Sequence, residues 1–205
     1  NLSGTLLEGI AVWGECKQKA TKELYKEHAR NALTWYAAQG VLAVRSHVDT
    51  TAPGQKNIEA LLEVRDELKH LMNIQLVAFP QDGIYTYAEG EKDLRRAMEM
   101  GCDVVGGIPH NEITREDGVR DVEYAFRLAD EFGALVDIHC DETGDPHSRF
   151  VEVMAKETLV RDMGRRVAAS HVTAMHNYDN DYAFKLNGII ARSGMSVITN
   201  PFDNT

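Results

Sequence analysis

The stretch GALVDIHCDE, residues 133–142, carries the pattern that decides the fold of this chain. A glycine follows a helical segment, an apolar run suited to a buried strand comes next, and the run ends in polar side chains. A glycine just past a helix end supplies the left-handed cap that lets the chain reverse. The same order recurs after five other residues along the sequence: Gly40, Asn73, Gly101, Gly164 and Gly194.

These repeats come at roughly 30 residues, the length of a strand-helix-strand unit, and so predict a parallel sheet. The strands are predicted at 41–49, 74–81, 104–109, 135–142, 167–173 and 196–201. Residues 3–38 are predicted to form one or two helices, with Thr21 as an N-cap. No linker composition divides residues 1–205, so we expect a single domain. Six units fit either an open doubly wound sheet or an eight-stranded barrel without its ends, because such a barrel takes about 250 residues.

The composition limits the classes of partner. The chain has 205 residues, of which 43% are hydrophobic and 26% charged, and its formal net charge is −10. An acidic balance argues against nucleic acid or an anionic membrane as the main partner. The sequence contains no apolar run long enough for a transmembrane helix, and its three cysteines form no C-x-x-C pair. Free thiols favour a reducing cytoplasm.

Polar side chains stand where the predicted strands end. They are His47 and Asp49, then Gln81, His110, the group His139, Asp141 and Glu142, and finally His171. In α/β folds the carboxyl ends of parallel strands meet at one edge, where sites are built. The sequence therefore predicts a site on this rim.

The chemistry of that rim is imidazole, carboxylate and amide. Strand alternation predicts that Asp137, His139 and Asp141 share an inward face while Cys140 packs against helices. The sequence has neither a G-x-G-x-x-G phosphate loop nor a G-x-S-x-G nucleophile elbow. Imidazole and carboxylate around a pocket suit a divalent metal that activates water. These residue types predict metal-assisted hydrolysis.

Short motifs in a fixed order along the whole chain then indicate a family. They are SGTLLEGI, VRSHVD, IQLVAFPQDGI, DVVGGIPH, TREDGV, VDIHCDE, SRFVE, ASHVTAMH and NP. Together they resemble the bacterial cytosine deaminases of the amidohydrolase superfamily. The resemblance implies a metal-dependent, TIM-type (β/α)8 barrel. The family's metal site also uses a His-x-His pair on the first strand and an aspartate on the last. This sequence contains neither, so we expect residues 1–205 to cover roughly strands 2–7.

The resemblance also implies roles for four residues. His139 matches the histidine that binds the metal, and Glu142 matches the acid that protonates the ring nitrogen and relays protons to the departing ammonia. His171 matches a histidine that hydrogen-bonds the attacking hydroxide or the tetrahedral centre, and which is itself a ligand in relatives with two metals. Gln81 matches the amide that holds the pyrimidine, because its donor and acceptor can read a lactam edge.

Six further residues are weaker candidates. Asp141 is a candidate to orient His139, since metal-bound imidazoles usually donate their other N–H to an acceptor. His47 and Asp49 are expected to support the site. His110 is interpreted as either pocket wall or structural turn. Phe79 and Leu6 are candidates to pack against a flat heterocycle, with core packing as the alternative.

The resemblance implies one divalent metal ion, Fe2+ or Zn2+, and an enzyme of pyrimidine metabolism that converts cytosine and water to uracil and ammonia. Related substrates remain open: isoguanine, creatinine or an s-triazine amide. A second alternative is a barrel that binds a ligand without catalysis. We expect a small heterocycle as partner, a cytoplasmic location and a homo-oligomer.

Overall fold

Six parallel strands form one curled sheet whose order in space follows their order in the chain. The structure, a computed structural model, describes residues 2–201. The strands are β1 (Ala43–Asp49), β2 (Asn73–Phe79), β3 (Val104–Val105), β4 (Leu135–Cys140), β5 (Val167–His171) and β6 (Ser196–Ile198). Each pairs in parallel with its chain neighbours. The expected partial barrel of parallel strands is confirmed.

Two helices precede the sheet, and each strand-to-strand connection holds one helix. The helices are α1 (Leu6–Lys19), α2 (Lys22–Ala38), α3 (Lys56–Leu68), α4 (Gly90–Met100), α5 (Arg115–Phe132), α6 (Phe150–Val160) and α7 (Asn180–Ser193). The predicted N-cap is confirmed, because the Thr21 hydroxyl accepts a hydrogen bond from the backbone N–H of Leu24 at 3.2 Å. No helix within the described chain is both long and apolar enough to cross a membrane.

Of the six predicted helix-end caps, four hold and two fail. Left-handed glycines follow four helices: Gly40 after α2, Gly101 after α4, Gly133 after α5 and Gly194 after α7. The prediction for Asn73 is wrong, because Asn73 has no positive φ and is the first residue of β2. The prediction for Gly164 is wrong, because α6 has already ended at Val160 and the left-handed residue there is Asp162, with a φ of 54°. A Cβ on Gly164 would lie 2.5 Å from the carbonyl oxygen of Ser193. That glycine therefore permits close approach of two chain segments.

All six predicted strands exist, but several end earlier than predicted. The second stops at Phe79 because Pro80 has no N–H to donate to a neighbouring strand. The third keeps only Val104–Val105 in the ladder before the chain turns toward Pro109. The fourth stops at Cys140, one residue before a left-handed backbone conformation.

The two faces of the sheet differ in chemistry. Toward the helices, apolar side chains such as Phe126 of α5 and Ile138 of β4 are fully buried. On the other face, the Arg45 guanidinium donates to the Asp137 carboxylate at 2.8 Å, reaching from β1 to β4. Ser170 donates to the same carboxylate at 2.7 Å. Burial alone would raise the pKa of Asp137, but His47 and these two donors lower it to about 2. A charge-paired layer therefore lies beneath the rim.

Candidate active site

His139, Glu142 and His171 come together at the carboxyl ends of β4 and β5. One potential ligand atom from each lies within 4.8 Å of the others. The His171 Nδ1 is 3.4 Å from a Glu142 carboxylate oxygen, and the ring centroids of His139 and His171 are 4.8 Å apart. Each side chain is only partly exposed. The three residues thus form a compact cluster with the composition of a metal site.

Unusual backbone conformations place this cluster. The strand β5 ends with two consecutive non-glycine residues in the left-handed region, His171 at a φ of 76° and Val172 at 53°. Residues held in sparsely populated regions cost of order 1–3 kcal/mol each and are often found at functional sites. The Val172 N–H donates to the Cys140 carbonyl at 2.9 Å, which ties the end of β5 to the end of β4. The two strand ends are therefore fixed relative to each other.

The expectation that Asp141 shares the inward face with His139 is wrong. Its φ is 52°, and its carboxylate accepts from the Ser148 hydroxyl at 2.7 Å and from the N–H groups of Phe150 and Val151, both at 2.9 Å. These N–H groups belong to the first turn of α6, where a negative charge is favoured by the helix dipole. Asp141 therefore holds the start of α6 and closes the loop that carries Glu142.

The ring of His139 is enclosed by aromatic and imidazole groups. Phe79 stacks on it with centroids 4.3 Å apart, and His47 makes an edge contact at 4.4 Å. Burial, followed by the neighbouring imidazoles of His47 and His171, lowers the pKa of His139 to about 2. Its Nδ1 is buried and has no hydrogen-bond partner among the described residues. A neutral imidazole of this kind is what a metal requires of a histidine ligand.

The donor set of this cluster fits a divalent ion. Two imidazoles and one carboxylate are ligands that zinc and iron both accept. The amidohydrolase type of site predicted above uses such ligands, and His139 is the residue to which the metal-binding role was assigned. Its unpartnered buried nitrogen supports that assignment from the structure alone.

Gln81 lies at the same mouth of the sheet as the cluster. A cleft of about 1250 Å³ is lined by Gln81, His139, Glu142 and His171 together with Leu6 of α1. A smaller cavity of about 310 Å³ adjoins it, and Gln81 and His139 line both. The four residues given roles by resemblance therefore surround one cleft. Their roles remain proposals.

Some of the weaker candidates line the cleft, and others pack against the residues that line it. His110 lines the cleft, and burial lowers its pKa to about 4, with the charge of His171 contributing. Leu6 lines the cleft from α1, whereas Phe79 is buried and packs against His139. His47 lies 3.7 Å from the Asp137 carboxylate and also touches His139.

Asp49 is held by two residues of α1 that sequence reasoning missed. Its carboxylate accepts from the Trp13 indole N–H at 2.7 Å and from the Lys17 ammonium at 3.2 Å. Trp13 also lines both cavities. Trp13 and Lys17 lie four residues apart and therefore on one helix face. This spacing was the only signal in the sequence for their shared contact with Asp49. Lys17 is otherwise indistinguishable in sequence from the exposed Lys19.

A parallel half-barrel with imidazoles and carboxylates on its carboxyl rim has the architecture of the metal-dependent barrel hydrolases. The comparison with protein families agrees with this class. The chain belongs to the amidohydrolase family, whose profile matches residues 1–205.

Individual relatives of known structure or activity show which members of the family this chain resembles. The 5-methylcytosine deaminase of Klebsiella pneumoniae liganded with 5-fluorocytosine is 48% identical, with a TM-score of 0.95 over 96% of this chain and 48% of that chain. The same enzyme liganded with phosphonocytosine gives a TM-score of 0.94. The N-isopropylammelide isopropyl amidohydrolase of Pseudomonas sp. (strain ADP) is 32% identical over 89% of this chain and 45% of that protein. This chain thus spans about half the length of these relatives.

Proposed function

We propose that this chain forms part of a hydrolytic deaminase that acts on cytosine or a closely related amino-heterocycle, giving uracil and ammonia from cytosine and water. The observation that carries the proposal is the cluster of His139, Glu142 and His171, which faces the same cleft as Gln81. The 48% identity to a 5-methylcytosine deaminase supports this substrate class.

His139 is proposed as a metal ligand, with Glu142 and His171 close enough to contribute. A bound Fe2+ or Zn2+ ion would lower the pKa of water and so supply the nucleophile near neutral pH. Because the His139 imidazole is kept neutral, it need not lose a proton before it binds an ion.

Glu142 is proposed to move the protons. It would take one proton from the attacking water and donate it to the ring nitrogen beside the carbon under attack. The second proton of that water would then pass through Glu142 to the amine. The exocyclic C–N bond breaks as ammonia leaves. The His171 Nδ1 lies 3.4 Å from the Glu142 carboxylate, which would hold that carboxylate toward the reacting atoms. General acid-base catalysis of this kind contributes about 10²–10⁴-fold in rate.

Gln81 is proposed to bind the ring edge opposite the amine. Its side-chain amide oxygen can accept from a ring N–H, and its NH2 group can donate to the adjacent ring C=O. Its backbone carbonyl accepts from the Asn111 amide at 3.3 Å, so the residue is supported from the loop that carries His110. His110 and Leu6 are proposed as further cleft walls, and His47, Phe79 and Asp49 as support.

A second candidate substrate class has its own support. The likeness to N-isopropylammelide hydrolases, at 32% identity to one and 28% to another of known structure from Burkholderia multivorans, favours testing that heterocycle. The net charge of −10 supports a small molecule over nucleic acid as partner. A cytoplasmic location and a homo-oligomer stay predictions.

The proposal is tested by following ammonia release from metal-replete intact protein. The panel contains cytosine, 5-methylcytosine, isoguanine and creatinine, which would release ammonia, and N-isopropylammelide, for which the release of isopropylamine is followed instead. Metal-stripped protein is the control. We expect the highest kcat/KM on a cytosine and none after metal removal. Failure of metal-replete protein to release ammonia from any of the first four rings would refute the deaminase function. Release of isopropylamine alone would favour the second substrate class, and no product from any ring would leave a ligand-binding barrel.

A further inference from the structure

A buried lysine of α1 lies behind the cleft, where the proposed mechanism makes no use of it. Lys17 is only 4% exposed. Its ammonium donates to the Asp49 carboxylate at 3.2 Å, the Thr51 hydroxyl at 2.7 Å and the Asp82 carboxylate at 2.5 Å. An ammonium has three N–H donors, so each has an acceptor.

The Asp49 carboxylate joins Lys17 to the wall of the cleft. One of its oxygens accepts from both Lys17 and the Trp13 indole, and the other accepts from the hydroxyl and the N–H of Thr51 at 2.6 and 2.8 Å. Trp13 and Lys17 lie four residues apart on α1, so both grip the end of β1 from the same helix face. This contact fixes the indole that lines both cavities.

The Asp82 contact joins the same lysine to the proposed substrate-binding amide. Asp82 follows Gln81 directly, in a turn where the Gly83 N–H donates to the Pro80 carbonyl at 2.8 Å. The Thr86 hydroxyl donates to the Asp82 carbonyl at 2.7 Å. A tether on the Asp82 side chain therefore restrains the whole turn that presents Gln81.

The cost of burying this charge indicates a role in geometry. Desolvating an ammonium costs several kcal/mol, and a buried ion pair is often no more stabilising than apolar packing of the same volume. An apolar residue at this position would pack α1 onto the strand ends. It would not draw Asp49, at the end of β1, and Asp82, in the turn after β2, to a single point.

We propose that Lys17 is a positioning residue that sets the two walls of the cleft relative to each other. It fixes the α1 wall through Asp49 and Trp13, and the β2 wall through Asp82 and Gln81. The separation of the indole from the amide then selects ligands with the thickness and width of a flat heterocycle. This inference rests on the proposed function for the identity of the ligand only.

The test compares Lys17→Met with Lys19→Met in the intact, metal-replete protein. Lys19 lies on the same helix and is exposed, so its variant controls for loss of a positive charge. We expect Lys17→Met to weaken phosphonocytosine binding by about tenfold or more and to raise KM for cytosine similarly, with kcat and metal content changed much less. Hydrogen exchange of residues 81–87 should quicken in Lys17→Met and stay unchanged in Lys19→Met.

A milder variant keeps the test decisive if Lys17→Met does not fold. Asp82→Asn leaves the contact of Lys17 with Asp49 in place and alters only the partly exposed end of the tether. It should raise KM in the same direction by a smaller factor. A drop in thermal stability with unchanged ligand affinity, KM and exchange at 81–87 would reduce Lys17 to a structural role and overturn the inference.

The two proposals fail in different ways. Wild-type protein that neither deaminates nor binds phosphonocytosine would refute the proposed function. The exchange of residues 81–87 needs no ligand, so it would still show whether Lys17 restrains this turn.

Discussion

The cleft has two sides that differ in how their polar groups are paired. One side is formed by β4 and β5, and the other by α1, β1 and β2. We name the first the imidazole side (His139, Glu142, His171) and the second the amide side (Lys17, Asp49, Gln81). On the imidazole side, a buried nitrogen of His139 has no partner among the described residues. On the amide side, Lys17 has an acceptor for each of its donors.

From this difference we infer that the imidazole side serves the chemistry and that the amide side positions the ligand. A buried polar atom without a partner costs about 1–3 kcal/mol, so its retention favours a ligand that satisfies it. A fully paired charge network instead restrains the groups around it. We therefore expect substitutions on the imidazole side to remove metal or turnover, and substitutions on the amide side to weaken binding of the heterocycle.

The largest effect is expected from His139→Asn in the intact protein. Removing the imidazole deprives the cluster of the proposed metal ligand, whose ring is kept neutral and whose Nδ1 has no partner among the described residues. Metal content, measured by elemental analysis, should fall to that of metal-stripped protein, and ammonia release should fall to background. His28→Asn, on the exposed face of α2, is the matched control and should retain both. Full metal loading of His139→Asn would place the ion elsewhere.

Glu142→Gln should separate proton transfer from metal binding. The amide keeps the size of the side chain but cannot give or take the proton, so kcat should fall about 10²–10⁴-fold. Bound metal should stay close to the wild-type amount if the carboxylate acts on protons. Glu99→Gln, an exposed change on α4, controls for the lost charge. Loss of metal along with activity would instead make Glu142 chiefly a ligand.

On the amide side, Gln81→Leu should affect binding more than chemistry. The leucine leaves the N–H and C=O of the bound ring unpaired in the cleft, which costs about 1–3 kcal/mol. KM for cytosine should therefore rise roughly tenfold to a hundredfold, with a smaller change in kcat. Gln39→Leu, at the exposed end of α2, is the control. A fall in kcat at unchanged KM would contradict the division between the two sides.

The imidazole side was largely predictable from the sequence, whereas on the amide side Asp49 and Gln81 were predicted at the rim but Lys17 was not. His139, Glu142 and His171 follow apolar runs, and parallel strands bring their carboxyl ends to one rim whatever the details of packing. The outward turn of Asp141 was not predictable, because left-handed conformations are uncommon for non-glycine residues and the enrichment of aspartate there does not single out one position. The burial of Lys17 depends on how α1 docks over β1 and β2, which hydrophobic periodicity does not specify.

A second support of the amide side is a pair of neighbouring carboxyl groups, one partly buried and one fully buried. The partly buried Glu112 accepts from the N–H groups of Ile84 and Tyr85, which follow Gln81 in the chain. Its neighbour Asp121, on α5, is completely buried. Burial, and then the neighbouring carboxylate, raise the pKa of Asp121 well above its usual range, and burial also raises that of Glu112. The folded state therefore favours the protonated form of these carboxyl groups more than the unfolded chain does.

These raised pKa values predict the smallest of these effects, a change in stability with pH. A pKa raised in the folded state gives stability that is fully present below the unfolded pKa of about 4 and is lost as pH rises toward the folded value, by at most about 1.4 kcal/mol per pH unit. Asp121→Asn supplies an amide donor to Glu112 that does not titrate. In denaturant titrations, the variant should therefore lose less stability than wild type between pH 5 and pH 8.

Glu116→Gln, on the exposed start of α5, controls for the loss of one carboxyl and should follow the wild-type pH dependence. Identical slopes for wild type and Asp121→Asn would mean that the carboxyl pair holds no proton at neutral pH. The N–H groups of Ile84 and Tyr85 would then be held by an ionised Glu112, with no contribution from protonation of the pair. Parallel hydrogen exchange of residues 81–87 at both pH values, corrected for intrinsic exchange rates, distinguishes these two cases. Opening of the turn at pH 8 in wild type, but not in Asp121→Asn, would assign part of the restraint to protonation of the carboxyl pair.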